Sequence, residues 1–113
     1  MHEASLAGGV LQLVEETAAR EGFQRLQALR LEAGQLAGVD VRALRFALEA
    51  LAPGTLLEGA VIDIEEPPGQ AWCLGCSQTV ALAQRGDACP ACGSFHLQPN
   101  GGAELRVLDM QVE

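Results

Sequence analysis

The sequence predicts an α+β fold: two helices on a small three-stranded sheet, with a four-cysteine module inserted into it. Three observations predict this. Apolar residues recur at helical spacing in two stretches, Ser5 to Arg20 and Val41 to Leu51. Apolar and polar residues alternate in three others, Gln24 to Glu32, Leu57 to Glu65 and Ala103 to Val112. All four cysteines fall between the second and third of these strands.

The first helix carries Leu6, Val10, Leu13, Val14 and Ala18 as its stripe, with Ser5 as the expected N-cap and Gly22 as its end. Gly8 and Gly9 weaken its early turns by up to about 1 kcal/mol each relative to alanine. In the first strand Leu29 and Leu31 alternate with Arg30 and Glu32, and Gly34 and Gly38 then mark a loop. Val41, Leu44, Leu48 and Leu51 share one face of the second helix, and Pro53-Gly54 lies beyond it. Ala60, Ile62 and Ile64 face one side of the second strand. In the third, Leu105 and Val107 are out of phase with Leu108, Met110 and Val112, so a bulge near Val107 is expected.

The cysteines form Cys73-Leu-Gly-Cys76 and Cys89-Pro-Ala-Cys92, a C-x2-C-x12-C-x2-C pattern. Each pair spans a tight turn that aims two thiolates at one point, and two turns supply a tetrahedral zinc shell. Two disulfides are the other reading. Small disulfide scaffolds are typically secreted, and this chain begins Met-His-Glu with no secretory leader. Four thiolates also leave no open coordination position, so such a zinc ribbon organises the fold and does not activate water. Pro67-Pro68-Gly69 and Pro99-Asn100-Gly101-Gly102 bracket the segment, which predicts an inserted zinc-binding domain at 67–102 within a domain formed by 1–66 and 103–113. Below about 40 residues a chain rarely buries enough surface to fold unaided. Zinc, worth about 10–16 kcal/mol in small modules, supplies the difference.

Fifteen acidic against seven basic residues, none of them lysine, give a net charge of −8. That balance repels phosphate backbones and argues against nucleic acid as a partner. No run is long enough to cross a membrane, and a cytoplasmic location is expected. There is no Gly-rich phosphate loop with its lysine, and the sequence marks out no serine with a histidine base to activate it, so an enzyme is not expected.

The amino terminus is the second informative feature. The His2 imidazole and backbone nitrogen, with the Met1 amine, can close fused chelate rings on one ion. Nitrogen and oxygen donors in a square-planar set suit Ni(II) or Cu(II), and Glu3 is close enough to join. The plain alternative is a frayed terminus with an incidental histidine. Asp40, just before the second helix, is an ordinary N-cap worth about 1 kcal/mol. One of its oxygens could cap while the other faces a metal. His96, four residues past Cys92, could stand in for a cysteine ligand, but with four thiolates closing the shell it reads as a surface histidine or one donating to a cysteine sulfur or a carbonyl. Trp72 is expected to pack over the zinc turn, and Met110 to be a core residue.

Met-His-Glu-x-Ser-Leu at 1–6 resembles the opening of the HypA/HybF family of hydrogenase nickel-incorporation proteins. Leu-Ala-Gly-Val-Asp at 36–40, Ala-Leu-Arg-Phe at 43–46, Cys-Pro-Ala-Cys-Gly-Ser at 89–94, Gly-Ala-Glu-Leu at 102–105 and the Met-Gln-Val at 110–112 extend the resemblance over essentially the whole chain. It implies a nickel metallochaperone for [NiFe] hydrogenase maturation, with His2 as principal ligand for transient Ni(II) and structural Zn(II) in the ribbon. Glu3 and Asp40 occupy the positions of the carboxylate that completes the nickel site. The implied partners are a maturation GTPase and the hydrogenase large subunit, with urease maturation served by some relatives. The sequence leaves a homodimer open. The competing function is a zinc-ribbon adaptor between proteins, in which the terminus carries no metal.

Overall fold

The computed structural model describes residues 2–113 and orders the chain as α1 (Glu3–Glu21), β1 (Leu26–Ala33), α2 (Val41–Leu51), β2 (Val61–Glu65), β3 (Gln70–Cys73), β4 (Gln78–Ala81), β5 (Leu97–Gly101) and β6 (Leu105–Val112). The strands form two three-stranded sheets, ordered β2-β1-β6 and β4-β3-β5. Two compact units result. One gathers the segment ending at Leu31 with Asp40–Ile64 and Val107–Glu113, and the other gathers Glu32–Val39 with Glu65–Arg106.

In the first unit α1 packs on α2, and the buried residues are Ala7, Val10, Val14 and Ala18 on one helix and Leu44 and Leu48 on the other. At about 100° per residue these α1 positions fall within a narrow arc, whereas Leu6 and Leu13 lie some 80–100° off its centre. Leu13 is accordingly exposed, and Ala7 takes its expected place. Glu3 is in phase with the buried stripe, so the helix carries a carboxylate into a 7 % exposed position. The helix also starts earlier than expected: His2, not Ser5, is the cap residue. Gly22 ends it in the left-handed conformation (φ 81°), donating its N–H to Ala18 O at 2.8 Å.

Leu29, Leu31 and Ala33 alternate as the buried side of β1, and Leu26 at its start is buried as well. On its outer side Arg30 forks onto Asp109 Oδ2 of β6 at 3.0 and 2.6 Å. The strand expected from Leu57 begins only at Val61. Thr55, Glu58 and Ala60 each return an N–H to the carbonyl three residues back, which coils this stretch and buries Leu57 (1 % exposed). Ile62 and Ile64 are the half-buried side of β2, as the alternation requires, and Arg45 Nη1 donates to Ile62 O at 2.8 Å. Along β6 the half-buried positions change phase between Val107 and Leu108.

In the second unit β3 pairs antiparallel with both β4 and β5. Pro99 sits on the edge strand β5, where its missing N–H breaks no ladder bond, and the register shifts beside it between Gln70 and Ala71. Leu36, Ala71 and Leu82 form one small core, and Cys73, Val80 and Cys89 another. Gly34 is required by a close approach. A Cβ there would strike the carbonyl group of Gly102, whose oxygen accepts the Leu36 N–H at 2.8 Å. Among the described residues, no helix is long and apolar enough to cross a membrane.

Candidate metal centres

Cys73 ends β3, and the chain turns through Leu74 and Gly75 to Cys76. The Ser77 N–H then bonds Cys73 O at 2.8 Å, with Ser77 in the left-handed region (φ 54°). The second turn repeats this backbone: the Gly93 N–H bonds Cys89 O at 2.8 Å, and Gly93 has φ 79°. Gly75 lets the two turns touch, since a Cβ there would meet Ser94 Cβ at 2.8 Å and Cys92 Sγ at 3.4 Å.

The four sulfurs all lie within 4.8 Å of one another. Cys73 and Cys92 are 3.6 Å apart and Cys76 and Cys89 3.9 Å. A metal at about 2.3 Å from each of four tetrahedral thiolates sets their separations at roughly 3.8 Å. Disulfide sulfurs would be about 2.05 Å apart. All four cysteines are free, and the separations fit a tetrahedral zinc shell. The thiols do not titrate alike when crowded without a cation. Burial raises Cys89, but backbone hydrogen bonds from Cys92 and Ala91 outweigh it and bring the thiol to about 7. At Cys92 a backbone hydrogen bond from Ser94 lowers the thiol, yet Cys73, burial, Cys76 and Cys89 together push it up to about 12.

His96 is exposed and stands outside this group. Its backbone N–H donates to Ser94 Oγ at 3.0 Å, and its carbonyl accepts from Leu74 N–H at 2.9 Å. Alternation along β3 buries Ala71 and Cys73 and turns Trp72 to the other face, 38 % exposed. Met110 is half-buried in β6.

The second candidate centre lies at the start of α1. His2 is exposed, its carbonyl accepts from the Leu6 N–H at 3.0 Å, and its imidazole makes no capping bond. Glu3 Oε2 accepts from the Asp40 N–H at 3.1 Å, and Asp40 Oδ1 accepts from the Ala43 N–H at 3.1 Å as the N-cap of α2. One chain of bonds therefore joins the starts of both helices. Among the described residues, His2, Glu3 and Asp40 do not form a group of converging ligand atoms like that of the cysteines. The Met1 amine lies outside the described residues. Sequence reasoning missed the Glu3 bond to Asp40 and a side-chain bond from Gln78 Nε2 to Cys76 Sγ at 3.3 Å. The phase of Glu3 with the α1 stripe was a usable signal for the first; nothing in the sequence marked the second.

These features define a small α+β protein that carries four cysteines clustered for metal binding. Residues 1–112 match the family described as hydrogenase/urease nickel incorporation, metallochaperone, HypA. The chain is 70 % identical over 112 residues to the hydrogenase maturation factor HypA of Polaromonas naphthalenivorans, covering 99 % of this chain and 97 % of that one. It is 67 % identical to that of Cupriavidus necator, covering 100 % and 95 %. Its fold is similar to the solution structure of the Ni metallochaperone HypA from Helicobacter pylori, with a TM-score of 0.72 at 24 % identity, covering 99 % and 97 %. The chain belongs to the HypA family of nickel-incorporation metallochaperones.

Proposed function

We propose that this chain carries Ni(II) at its amino terminus and delivers it during [NiFe] hydrogenase maturation, while Zn(II) held by Cys73, Cys76, Cys89 and Cys92 keeps the ribbon folded. The observation that carries the nickel assignment is the contrast at the start of α1. His2 is exposed with an imidazole free of the helix cap, while Glu3 beside it is buried and tied to Asp40. The anchored first turn supports a ligand presented to solvent at a fixed place.

His2 is the principal ligand. Its imidazole and backbone nitrogen with the Met1 amine give the nitrogen set that suits Ni(II). Glu3 and Asp40 each hold one oxygen against a backbone N–H, which fixes the carboxylates beside the start of α1. A shallow site of few ligands suits a carrier, which must release its cargo. Because affinity order favours Cu(II), selectivity rests on geometry, metal availability and partner contact. Residues 1–66 and 103–113 form the nickel-binding domain in this account, and 67–102 the inserted zinc-binding domain. Zinc supplies folding energy there and no open position for chemistry. The partners are a cytoplasmic maturation GTPase and the hydrogenase large subunit, and the protein acts by transfer and not by catalysis.

Delivery is tested in a bacterium whose own maturation factor has been deleted. The wild-type chain should restore hydrogenase activity and nickel content in the large subunit, and His2→Ala should not. Full restoration by His2→Ala contradicts a carrier centred on His2.

A further inference from the structure

The two cysteine turns share a backbone but not a way of stabilising sulfur. Cys89 Sγ accepts the Ala91 backbone N–H at 3.4 Å, and the exposed Cys92 is served by a backbone hydrogen bond from Ser94. Cys76 Sγ takes the side-chain amide of Gln78 at 3.3 Å. Among the described residues, Gln78 is the one side chain whose N–H reaches a cysteine sulfur. Four thiolates around one divalent cation leave the cluster negative, and each N–H aimed at sulfur offsets part of that charge. A backbone donor is locked by the turn. A side-chain donor can rotate away.

Gln78 opens β4 and pairs with Cys73 across the β3–β4 ladder, so its Cα is held beside the ligands while its side chain is exposed. We propose that Gln78 is a positioning residue for the metal centre: its amide holds the Cys76 thiolate in the shell, and without it Cys76 is the first sulfur to let go. This rests on the assignment of zinc to the four thiolates.

The test uses the full zinc-loaded chain, challenged with an excess of a chromogenic chelator and, separately, with iodoacetamide followed by mapping of the first cysteine alkylated. Gln78→Leu removes the donor. Gln78→Glu keeps the shape but cannot donate, and Gln84→Glu adds the same charge on an exposed turn. Both Gln78 variants should release zinc about 10-fold faster than wild type. Their added alkylation should fall at Cys76, and Gln84→Glu should behave as wild type. A Gln78→Glu chain that holds one zinc and releases it at the wild-type rate overturns the role of the amide, and so does alkylation spread evenly over the four cysteines. A wild-type chain that holds no zinc overturns the zinc assignment itself.

Discussion

Glu3 and Asp40 are joined across 37 residues of sequence by one hydrogen bond, from the Asp40 N–H to Glu3 Oε2 at 3.1 Å. The bond ties the first turn of α1 to the cap of α2, and it places the exposed His2 on an anchored helix start. Removing the carboxylate from this part-buried bond leaves the Asp40 N–H without its acceptor, which costs about 1 kcal/mol. Glu3→Ala should therefore lower the thermal midpoint of nickel-free, zinc-loaded protein by several degrees. Glu3→Gln, which keeps an acceptor, should lose much less. Equal midpoints for all three chains would deny the bond a structural role.

Asp40 separates capping from metal binding. Asp40→Ala should cost about 1 kcal/mol by urea unfolding, because the Ala43 N–H loses its acceptor. Asp40→Asn still caps and should restore that stability. Because Oδ1 is engaged at the helix, Asp40→Asn should also keep one nickel per chain. Loss of nickel binding in Asp40→Asn, with stability unchanged, would instead make its second oxygen an essential ligand.

Two glycines of the cysteine-bearing unit fail for different reasons. At Gly93 a Cβ meets nothing within 4 Å, so Gly93→Ala should cost only the left-handed backbone conformation, about 1 kcal/mol. At Gly34 a Cβ would strike the Gly102 backbone, and Gly34→Ala should cost about 3 kcal/mol or more. Unfolding of the two zinc-loaded variants should reproduce this order, and the reverse order would contradict the close approach.

Zinc binding should release protons. In the metal-free cluster Cys92 is held up to about 12 and Cys89 down to about 7. Protons on the raised thiols compete with the metal at neutral pH, so affinity should rise with pH between roughly 6 and 9. The protons released per zinc should fall from about four to about three as Cys89 ionises on its own in that window. Calorimetry in buffers of different ionisation heat counts them. A pH-independent affinity would contradict thiolate ligation.

The cysteine turns were legible because the spacing of a two-residue turn is itself a geometric statement. The second helix was legible too, with Asp40, Leu44 and Leu48 in the expected places. Glu3 was less so: acids are common in a chain of this charge, and its burial follows from a phase that only the whole stripe of α1 reveals. The sheet of β3, β4 and β5 escaped notice because two of its strands are four residues long and the third contains Pro99 and Gly101. Gln78 depends on a cross-strand pairing that no local pattern encodes.

The most direct measurement is a Ni(II) titration of zinc-loaded protein with its native amino terminus, beside His2→Ala and a chain extended ahead of Met1. Saturation near one nickel per chain is expected for the wild type, with binding lost in His2→Ala and weakened by the extension. Nickel bound equally well by all three chains would contradict an amino-terminal site.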